Sequence, residues 1–466
     1  MQDILREGER FRLYNGDCLE VMREFPDNSL DSIVCDPPYG LSNHSQQDIV
    51  ECLTAWIAGG IYEHGKKGFM SNSWDGFVPG PEIWRECYRV LKPGGHLLAF
   101  AGTRTQDLMG ISLRLAGFEI RESIGWVTGS GFPKSRDVSK AIDQEAGMTR
   151  MVTTAVSGPK AGRVDKSQSK GRNYRHGENR SITEPATREA VQWSGWGSAL
   201  KPSVEPILLC RKPLDGTIAE TVLKWGTGAI NIEACRVPIT DGAKMARNNK
   251  PGENGWKNSS GGQNNAAVNG EPAGRWPPNL LLDGSEEVLR QFPETGKSSG
   301  RPRNNGDFKS VAKGKETAHT TYGHDDDGGS AARFFPQFPP DQEKDVPGIK
   351  YVPKASQRDR NEGFDEGKNV HPTTKPTSLM QWLVTLVTPP GGVCLDPFAG
   401  SGSTGKACML SGFRFVGIEQ NAEYCAIAQA RIEHAAAKTE QPEFGKAAAP
   451  KKGKVEDIDF GLFALS

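Results

Sequence analysis

Residues 393–405 read Val-Cys-Leu-Asp-Pro-Phe-Ala-Gly-Ser-Gly-Ser-Thr-Gly, an apolar strand that runs into a glycine-rich turn. Glycine lets a backbone approach a ligand closely, and an open helix N-terminus attracts a negatively charged group. Glu419 closes the next apolar stretch, at a spacing suited to binding ribose hydroxyls. Because Gly400, Gly402 and Gly405 also fit the dinucleotide-binding pattern, the stretch predicts a nucleotide-like ligand without identifying it.

The sequence on both sides of this stretch alternates short apolar strands with amphipathic helices, which is typical of repeated β-α units. The alternation covers residues 377 to about 434 and also residues 11 to about 127. The predicted strands are 30–35, 96–101, 393–396 and 414–419, and the predicted helices are 81–91, 108–115, 379–387, 404–411 and 422–433. We therefore expect one α/β sheet assembled from both ends of the chain.

A second motif, Asp36-Pro37-Pro38-Tyr39, directly follows the predicted strand 30–35. Two prolines give a rigid extended backbone that cannot continue a sheet, so a carboxylate, a free carbonyl and an aromatic ring are held at its edge. The Asp36 carboxylate and the Pro37 carbonyl could accept both N–H groups of a planar amine, which would direct the nitrogen lone pair toward an electrophile. Tyr39 would stack on a base swung out of a duplex. The alternative is a Pro-Pro turn with a capping aspartate.

Asp17, in Asn15-Gly16-Asp17-Cys18-Leu19-Glu20, has two interpretations. It could accept a hydrogen bond from the adenine amine of a cofactor, or it could cap the helix that follows. The two roles do not exclude each other.

Three features favour S-adenosylmethionine over a dinucleotide as the ligand of the glycine motif. Asp-Pro-Phe precedes the glycines, the motif lies near the C-terminus, and Asp-Pro-Pro-Tyr occurs elsewhere in the chain. A lone glycine pattern is weak evidence for a dinucleotide.

Residues 131–368 differ from both ends of the chain because they are rich in Gly, Ser, Asn, Arg and Lys. The polar stretches 157–180, 248–274 and 298–329 are expected to be mobile loops in the absence of DNA, whereas 204–210 and 275–282 are strand-like. This region is therefore predicted to be partly folded. Residues 436–466 are rich in Ala, Lys and Pro and are expected to be a flexible tail.

The composition disfavours several classes of protein. The 57 Lys and Arg residues balance 57 Asp and Glu residues, so any basic surface must be local. The nine cysteines contain no Cys-x-x-Cys pair and do not combine with the eight histidines at zinc-ligand spacing, so neither a disulfide framework nor a metal site is predicted. No apolar run approaches the roughly 20 residues that span a bilayer. We expect a soluble, cytoplasmic protein that does not act at a membrane.

Together the motifs resemble the DNA amino-methyltransferases of the permuted β class, in which Asp-Pro-Pro-Tyr comes first and Phe-x-Gly-x-Gly last. His371-Pro372-Thr373-Thr374-Lys375-Pro376 is similar to the segment that precedes the cofactor motif in this family and helps form its pocket. The resemblance implies a circularly permuted, Rossmann-like class I methyltransferase fold with a seven-stranded, mostly parallel sheet. It implies a catalytic half in residues 1–130, a target-recognition insert in 131–368, a cofactor-binding half in 369–435 and a tail in 436–466.

The resemblance also implies roles for the motif residues. Methyl transfer would depend chiefly on alignment of the sulfonium, the methyl group and the amine nitrogen. Asp36, Pro37, Pro38 and Tyr39 would be catalytic, and S-adenosylmethionine would be bound, without a metal, by Asp17, Lys375, Asp396, Phe398, Ala399, Gly400, Ser401, Gly402, Thr404 and Glu419. N6 of adenine in duplex DNA is the expected target because the first motif residue is an aspartate, where cytosine-N4 relatives more often have serine.

Other functions stay open at this point. They are methylation of N4 of cytosine, methylation of RNA or of a protein amide, and DNA binding without catalysis; the motif order and the intact motifs disfavour the last two. Four phrases of the middle region resemble modification methyltransferases of phage and prophage origin: Gly131-Phe132-Pro133-Lys134 with Ser139-Lys140-Ala141-Ile142-Asp143, Leu200-Lys201-Pro202-Ser203-Val204-Glu205-Pro206-Ile207, Gly274-Arg275-Trp276-Pro277-Pro278-Asn279, and Lys354-Ala355-Ser356 with Asp359-Arg360. The sequence does not show whether a restriction enzyme accompanies the protein.

Basic residues cluster just after the catalytic half, and Lys134, Arg136, Lys140 and Arg172 are predicted to contact DNA phosphates. Trp193 and Trp196 flank a Ser-Gly turn, where core packing is favoured over stacking on DNA. Leu462-Phe463, near the end of the tail, loosely resembles peptides that bind bacterial sliding clamps, so clamp docking is considered beside packing on the protein's own surface. A homodimer is a further option.

Overall fold

The computed structural model of the protein describes residues 4–66, 68, 74–129, 135–156, 180–238, 274–295, 302–304, 320–322, 329–339, 355–364 and 367–439. Its strands are β1 (Phe11–Asn15), β2 (Leu30–Cys35), β3 (Leu91–Phe100), β4 (Glu119–Val127), β5 (Val152–Val156), β6 (Arg180–Thr183), β7 (Val204–Arg211), β8 (Leu280–Leu282), β9 (Glu294–Thr295), β10 (Pro302–Asn304), β11 (Thr320–Tyr322), β12 (Gly329–Ser330), β13 (Val393–Asp396) and β14 (Arg414–Glu419).

The α-helices of these parts are α1 (Cys18–Arg23), α2 (Gln46–Ile57), α3 (Pro81–Val90), α4 (Gln106–Leu115), α5 (Val138–Glu145), α6 (Arg188–Gln192), α7 (Ile218–Trp225), α8 (Glu286–Leu289), α9 (Gln357–Asn361), α10 (Thr377–Val387), α11 (Ser403–Leu410) and α12 (Ala422–Thr439). Residues Ala331–Phe334 form a 3₁₀ helix. Because α12 continues to Thr439, residues 436–439 are helical, and the predicted start of the tail at residue 436 is wrong. Alanines at 435–437 explain the extension, since alanine has the highest helix propensity.

Eight strands form one central sheet in the order β1-β14-β13-β2-β3-β7-β4-β8. Neighbouring strands are parallel except at β7, which is antiparallel to both β3 and β4. The mostly parallel α/β sheet predicted from the sequence is confirmed. The predicted number of seven strands is wrong, because the short strand β8 adds an eighth at the edge beside β4. Local composition marks this segment as strand-like but does not identify its distant partner.

The two ends of the chain complete the sheet together. β1 pairs with β14, and β2 pairs with β13 through contacts that include Ile33 opposite Leu395. The C-terminal strands therefore lie between two strands from the N-terminal end, which confirms the predicted circular permutation.

The middle of the chain also contributes to this sheet. β7 begins at Val204, within residues 131–368, and lies between β3 and β4. Because β7 is antiparallel, its first residues lie at the edge where β3 and β4 end. The second residue of β7, Glu205, is thus brought to the edge at which the parallel strands end.

Helices cover both faces of the sheet. On one face, Ile33 packs in a buried cluster with Trp84 of α3, and on the other, Val34 packs in a cluster with Leu383 of α10. Successive side chains of a strand point to opposite faces, so both faces of β2 are buried. Such burial stabilises the fold by about 25 cal/mol per Å² of apolar surface. Among the described helices, none combines the length and apolar character needed to cross a membrane.

Candidate active site

The two motifs from opposite ends of the chain meet at the carboxyl edge of the sheet. β2 ends at Cys35 and β13 ends at Asp396, and the two strands are parallel neighbours. Asp36 is the first residue after β2, so its carboxylate lies at the same edge as that of Asp396. Burial of Asp396, together with the charges of Asp36 and Glu419, raises the pKa of Asp396 to about 7.

Hydrogen bonds hold the Asp396 carboxylate in one orientation. Thr404 of α11 donates its hydroxyl to Oδ2 at 2.5 Å, and the backbone N–H of Phe398 donates to Oδ1 at 3.0 Å. Both bonds favour the ionised form, so they offset part of the effect of burial on the pKa. The Phe398 ring lies edge-on to Trp84, with ring centroids 5.9 Å apart, which anchors the start of the glycine turn on the core.

The turn from Ala399 to Gly402 requires glycine at two positions. Gly400 and Gly402 have φ angles of 52° and 77°. A Cβ at Gly400 would lie 2.9 Å from Nε2 of His371, and a Cβ at Gly402 would lie 2.9 Å from Cα of Ala428. A left-handed backbone and close packing together exclude larger residues. The turn leads directly into α11, whose N-terminal end faces the same sheet edge.

Glu419, the last residue of β14, braces this turn from the next strand. Its Oε2 accepts the backbone N–H of Gly400 at 2.8 Å, and its Oε1 accepts that of Asn421 at 2.7 Å. Burial raises the pKa of Glu419, and the two backbone hydrogen bonds act in the opposite direction. A carboxylate oxygen with one partner keeps a second lone pair, so Glu419 can still accept a ligand hydroxyl.

Asp17 lies close to Glu419 because β1 pairs with β14. The backbone N–H of Gly16 donates to the carbonyl of Glu419 at 3.1 Å. Oδ1 of Asp17 accepts the backbone N–H groups of Leu19 and Glu20 at 2.9 and 3.2 Å, so the helix-capping interpretation is confirmed. The Asp17 side chain is exposed, and its hydrogen bond to the adenine amine of a cofactor stays a prediction.

Hydrogen bonds between side chains and backbone groups fix the Asp-Pro-Pro-Tyr turn. Oδ1 of Asp75 accepts the N–H groups of Tyr39 and Gly40 at 2.8 and 3.1 Å, and Thr105 donates its hydroxyl to the Tyr39 carbonyl at 2.5 Å. Oδ2 of Asp36 accepts from the Lys375 ammonium at 2.5 Å. Oδ1 of Asp36 is buried and has no hydrogen-bond partner within the described residues. One oxygen of this carboxylate is therefore available to an incoming donor.

The ammonium of Lys375, a residue predicted to bind the cofactor, lies beside the catalytic turn. Its Nζ is 3.7 Å from Oε2 of Glu205 and lies 5.3 and 4.7 Å from the ring centroids of Tyr39 and Phe100. The Tyr39 hydroxyl donates to Glu205 at 3.4 Å. Burial, followed by the charge of Asp36, raises the pKa of Tyr39 well above its usual value, so the hydroxyl keeps its proton. Glu205 lies within the phrase 200–207 but was not among the predicted site residues, and neither was Phe100.

A buried ionic network behind the glycine turn was also missed. Lys406 of α11 contacts Oδ1 of Asp359 and Oε2 of Glu362, each at 2.8 Å. Arg431 of α12 is fully buried and donates to the carbonyl oxygens of Ser401 and Asp359. The network ties residues 359–362 to the turn. In the sequence, a basic residue on the otherwise apolar side of α11 and of α12, Lys406 and Arg431, could have indicated this network.

The segment 371–376 covers the glycine turn from the other side. His371 contacts Gly400, and its ring meets Tyr424 edge-on with centroids 4.6 Å apart. Arg360 donates to the His371 carbonyl at 2.7 Å. Burial lowers the pKa of His371 to about 4, so the imidazole is neutral near pH 7. An uncharged ring therefore lines this side of the turn.

The predicted DNA contacts are only partly described. Arg136 and Lys140 are exposed, near the start of α5. Lys134, Arg172 and the tail residues 440–466, including Leu462-Phe463, lie outside the described residues. Trp193 and Trp196 are 40% and 60% exposed and contact each other at 4.9 Å between centroids, so the prediction that they pack in the core is wrong.

Comparisons with known proteins identify the family of the chain. A model of the N6/N4 methylase family, described as DNA methylase, matches residues 30–430. DNA adenine methyltransferase YhdJ of Escherichia coli (strain K12) is 37% identical over 89 residues, which are 19% of this chain and 26% of that protein. Type II methyltransferase M.BamHI of Bacillus amyloliquefaciens is 33% identical over 90 residues, 19% of this chain and 17% of that protein. The alignments thus span less than a third of either relative.

Solved structures give weaker likenesses. The M1.HpyAVI complex with SAM shares 13% identity at a TM-score of 0.35, covering 91% of this chain and 98% of that one. PvuII DNA methyltransferase (cytosine-N4-specific) shares 12% identity at a TM-score of 0.40, covering 91% and 86%. TM-scores this low do not decide the assignment. The match to the family model, in contrast, covers both motifs and the sheet strands that lie between them in the sequence. The chain therefore belongs to the N6/N4 DNA methylase family.

Proposed function

We propose that this protein transfers a methyl group from S-adenosylmethionine to an exocyclic base amine in DNA, with N6 of adenine in a duplex as the target. The observation that carries the proposal is the pairing of β2 with β13, which brings Asp36 to the sheet edge that holds the glycine turn. Direct transfer requires a donor and an acceptor held in alignment, and two sites on neighbouring parallel strands supply that alignment. Membership of the DNA methylase family supports DNA as the substrate.

The residues of the glycine turn fit the cofactor chemically. Gly400 and Gly402 leave the backbone accessible, and the N-terminal end of α11 suits a carboxylate such as that of a methionine group. Glu419 would accept ribose hydroxyls, and Asp17 the adenine amine. Asp396, Phe398, Ala399, Ser401 and Thr404 would hold the turn in shape. When bound, S-adenosylmethionine supplies an electrophilic methyl group. Within the described residues, no three His, Cys, Asp or Glu side chains are arranged to hold a metal.

Asp36, Pro37 and Tyr39 would hold the target base. Oδ1 of Asp36, which has no partner within the described residues, would accept one N–H of the amine, and the Pro37 carbonyl would accept the other. This arrangement directs the nitrogen lone pair toward the methyl group. Tyr39, which is only partly buried, would stack on a flipped base and offset part of an unstacking cost of a few kcal/mol. Pro38 would keep the turn rigid.

Adenine is favoured over cytosine as the target base. The first motif residue is Asp36, and the E. coli relative with 37% identity over 89 residues is described as an adenine methyltransferase. Residues 131–368 would recognise the DNA sequence, with Arg136 and Lys140 at phosphates.

The test is expression of the chain in a methylation-deficient host, followed by long-read sequencing that distinguishes N6-methyladenine from N4-methylcytosine. Modified adenine in a defined motif is the expected result. Modified cytosine would overturn the choice of base alone. No DNA mark from a protein that binds S-adenosylmethionine would overturn the DNA substrate and favour RNA or a protein amide.

A further inference from the structure

One ammonium lies between two carboxylates beside the Asp-Pro-Pro-Tyr turn. Nζ of Lys375 is 2.5 Å from Oδ2 of Asp36 and 3.7 Å from Oε2 of Glu205. The side chains of Lys375, Asp36 and Glu205 are 6%, 19% and 16% exposed. Charges so poorly exposed are screened only weakly by solvent and salt. The three groups together carry one net negative charge.

The surroundings restrict where the ammonium can lie. The rings of Tyr39 and Phe100 flank it, and the hydroxyl of Tyr39 donates to the same oxygen of Glu205 that faces Lys375. Because Lys375 takes Oδ2 of Asp36, the other oxygen stays available for a substrate N–H.

The sheet fixes Glu205 more firmly than a loop would. Glu205 pairs with Trp126 of β4 in the antiparallel ladder, and Ile207, two residues further on, pairs with both β3 and β4. A functional group on a paired strand keeps its position better than one on a loop. β7 therefore delivers a carboxylate to the site from the middle of the chain.

Resting on the proposed function, we propose that Glu205 is a positioning residue for methyl transfer. It holds Lys375 on Oδ2 of Asp36, so that Oδ1 receives the target amine, and it gives the site its net negative charge. In the transfer, the bond from the methyl carbon to sulfur breaks as the bond to the amine nitrogen forms, and positive charge passes from sulfur to nitrogen before the nitrogen loses a proton to Asp36 or water. A fixed negative charge stabilises that change.

The first test is Glu205→Gln, which keeps the size of the side chain and removes its charge. The matched control is Glu122→Gln, the same change at an exposed residue of the neighbouring strand β4. We expect kcat to fall by about tenfold or more in Glu205→Gln, with the KM for S-adenosylmethionine within about twofold of the wild type and the control unchanged. A kcat for Glu205→Gln equal to that of the control would overturn the proposal.

The second test separates charge from packing. Glu205→Ala leaves space for a small carboxylate, so formate should raise its kcat, whereas chloride at the same ionic strength should not. Wild type and Glu205→Gln should show no formate effect. A folded Glu205→Ala variant that formate does not activate would assign the loss to packing and overturn the proposal. An inactive wild type would instead overturn the proposed function, so the two failures are distinguishable.

Discussion

Asp396→Asn should remove a pH dependence of stability that the wild type carries. The Asp396 pKa is raised from an ordinary value of 3.8 to about 7, chiefly by burial. A carboxyl group whose pKa is higher in the folded state binds its proton more tightly there, so its contribution to stability falls as pH rises from about 4 to about 7 and is constant above that. A pKa difference of about 3 between the folded and unfolded states, at about 1.4 kcal/mol per pKa unit, lowers the free energy of unfolding by about 4 kcal/mol.

Urea unfolding of both proteins at several values between pH 5 and pH 8 measures this effect. Between pH 5 and pH 8 the asparagine variant should gain about 3 kcal/mol of stability relative to the wild type, because about two of the three pKa units lie above pH 5 and asparagine carries no charge to bury. The control is Thr404→Val, which removes the hydroxyl donor to Oδ2 and should move the wild-type fall in stability to higher pH. The same stability difference between wild type and Asp396→Asn at pH 5 and at pH 8 would refute the reasoning.

Three further changes test other parts of the site. Asp36→Ala should abolish methylation while calorimetry shows S-adenosylmethionine binding unchanged; loss of binding would place Asp36 in the cofactor site instead. Asp359→Asn should lower the free energy of unfolding at pH 7 by about 2 kcal/mol, because buried Lys406 loses one of its two carboxylate partners. Although burial acts to raise it, the Asp359 pKa lies below its usual value, so this contribution is present at neutral pH and lost in acid; equal stability of the two proteins at pH 7 would contradict it. Replacing Arg136 and Lys140 by alanine should weaken DNA binding and reduce the slope of log K against log salt by about 2, as measured by fluorescence anisotropy. An unchanged slope would remove both residues from the DNA interface.

Local sequence predicted the elements that surround the two motifs. The bounds of β2, β13 and β14 are those expected from their apolar runs, because these strands are buried on both faces and end at recognisable turns. The predicted helices differ from the observed ones mainly at their ends, where propensity decides, as in α12. The helix α2 was not predicted, and β3 begins five residues before its predicted start at residue 96.

Contacts between distant parts of the chain could not be predicted in this way. An apolar run at residues 204–210 indicates a strand, but nothing in it specifies pairing with both β3 and β4. The position of Glu205 beside Lys375 follows only from that pairing. The Asp359–Lys406 pair likewise joins residues that no local motif relates.

The pairing of β2 with β13 also affects how the protein is made. Leu395 is added to the growing chain some 360 residues after Ile33, its partner across the ladder. At about 5–20 residues per second, the ribosome needs roughly 20 to 70 seconds to bridge that interval. Throughout it, one edge of β2 lacks its neighbour, and an open apolar strand edge invites pairing with other chains. The yield of active protein therefore depends on keeping that edge covered until the final strands emerge.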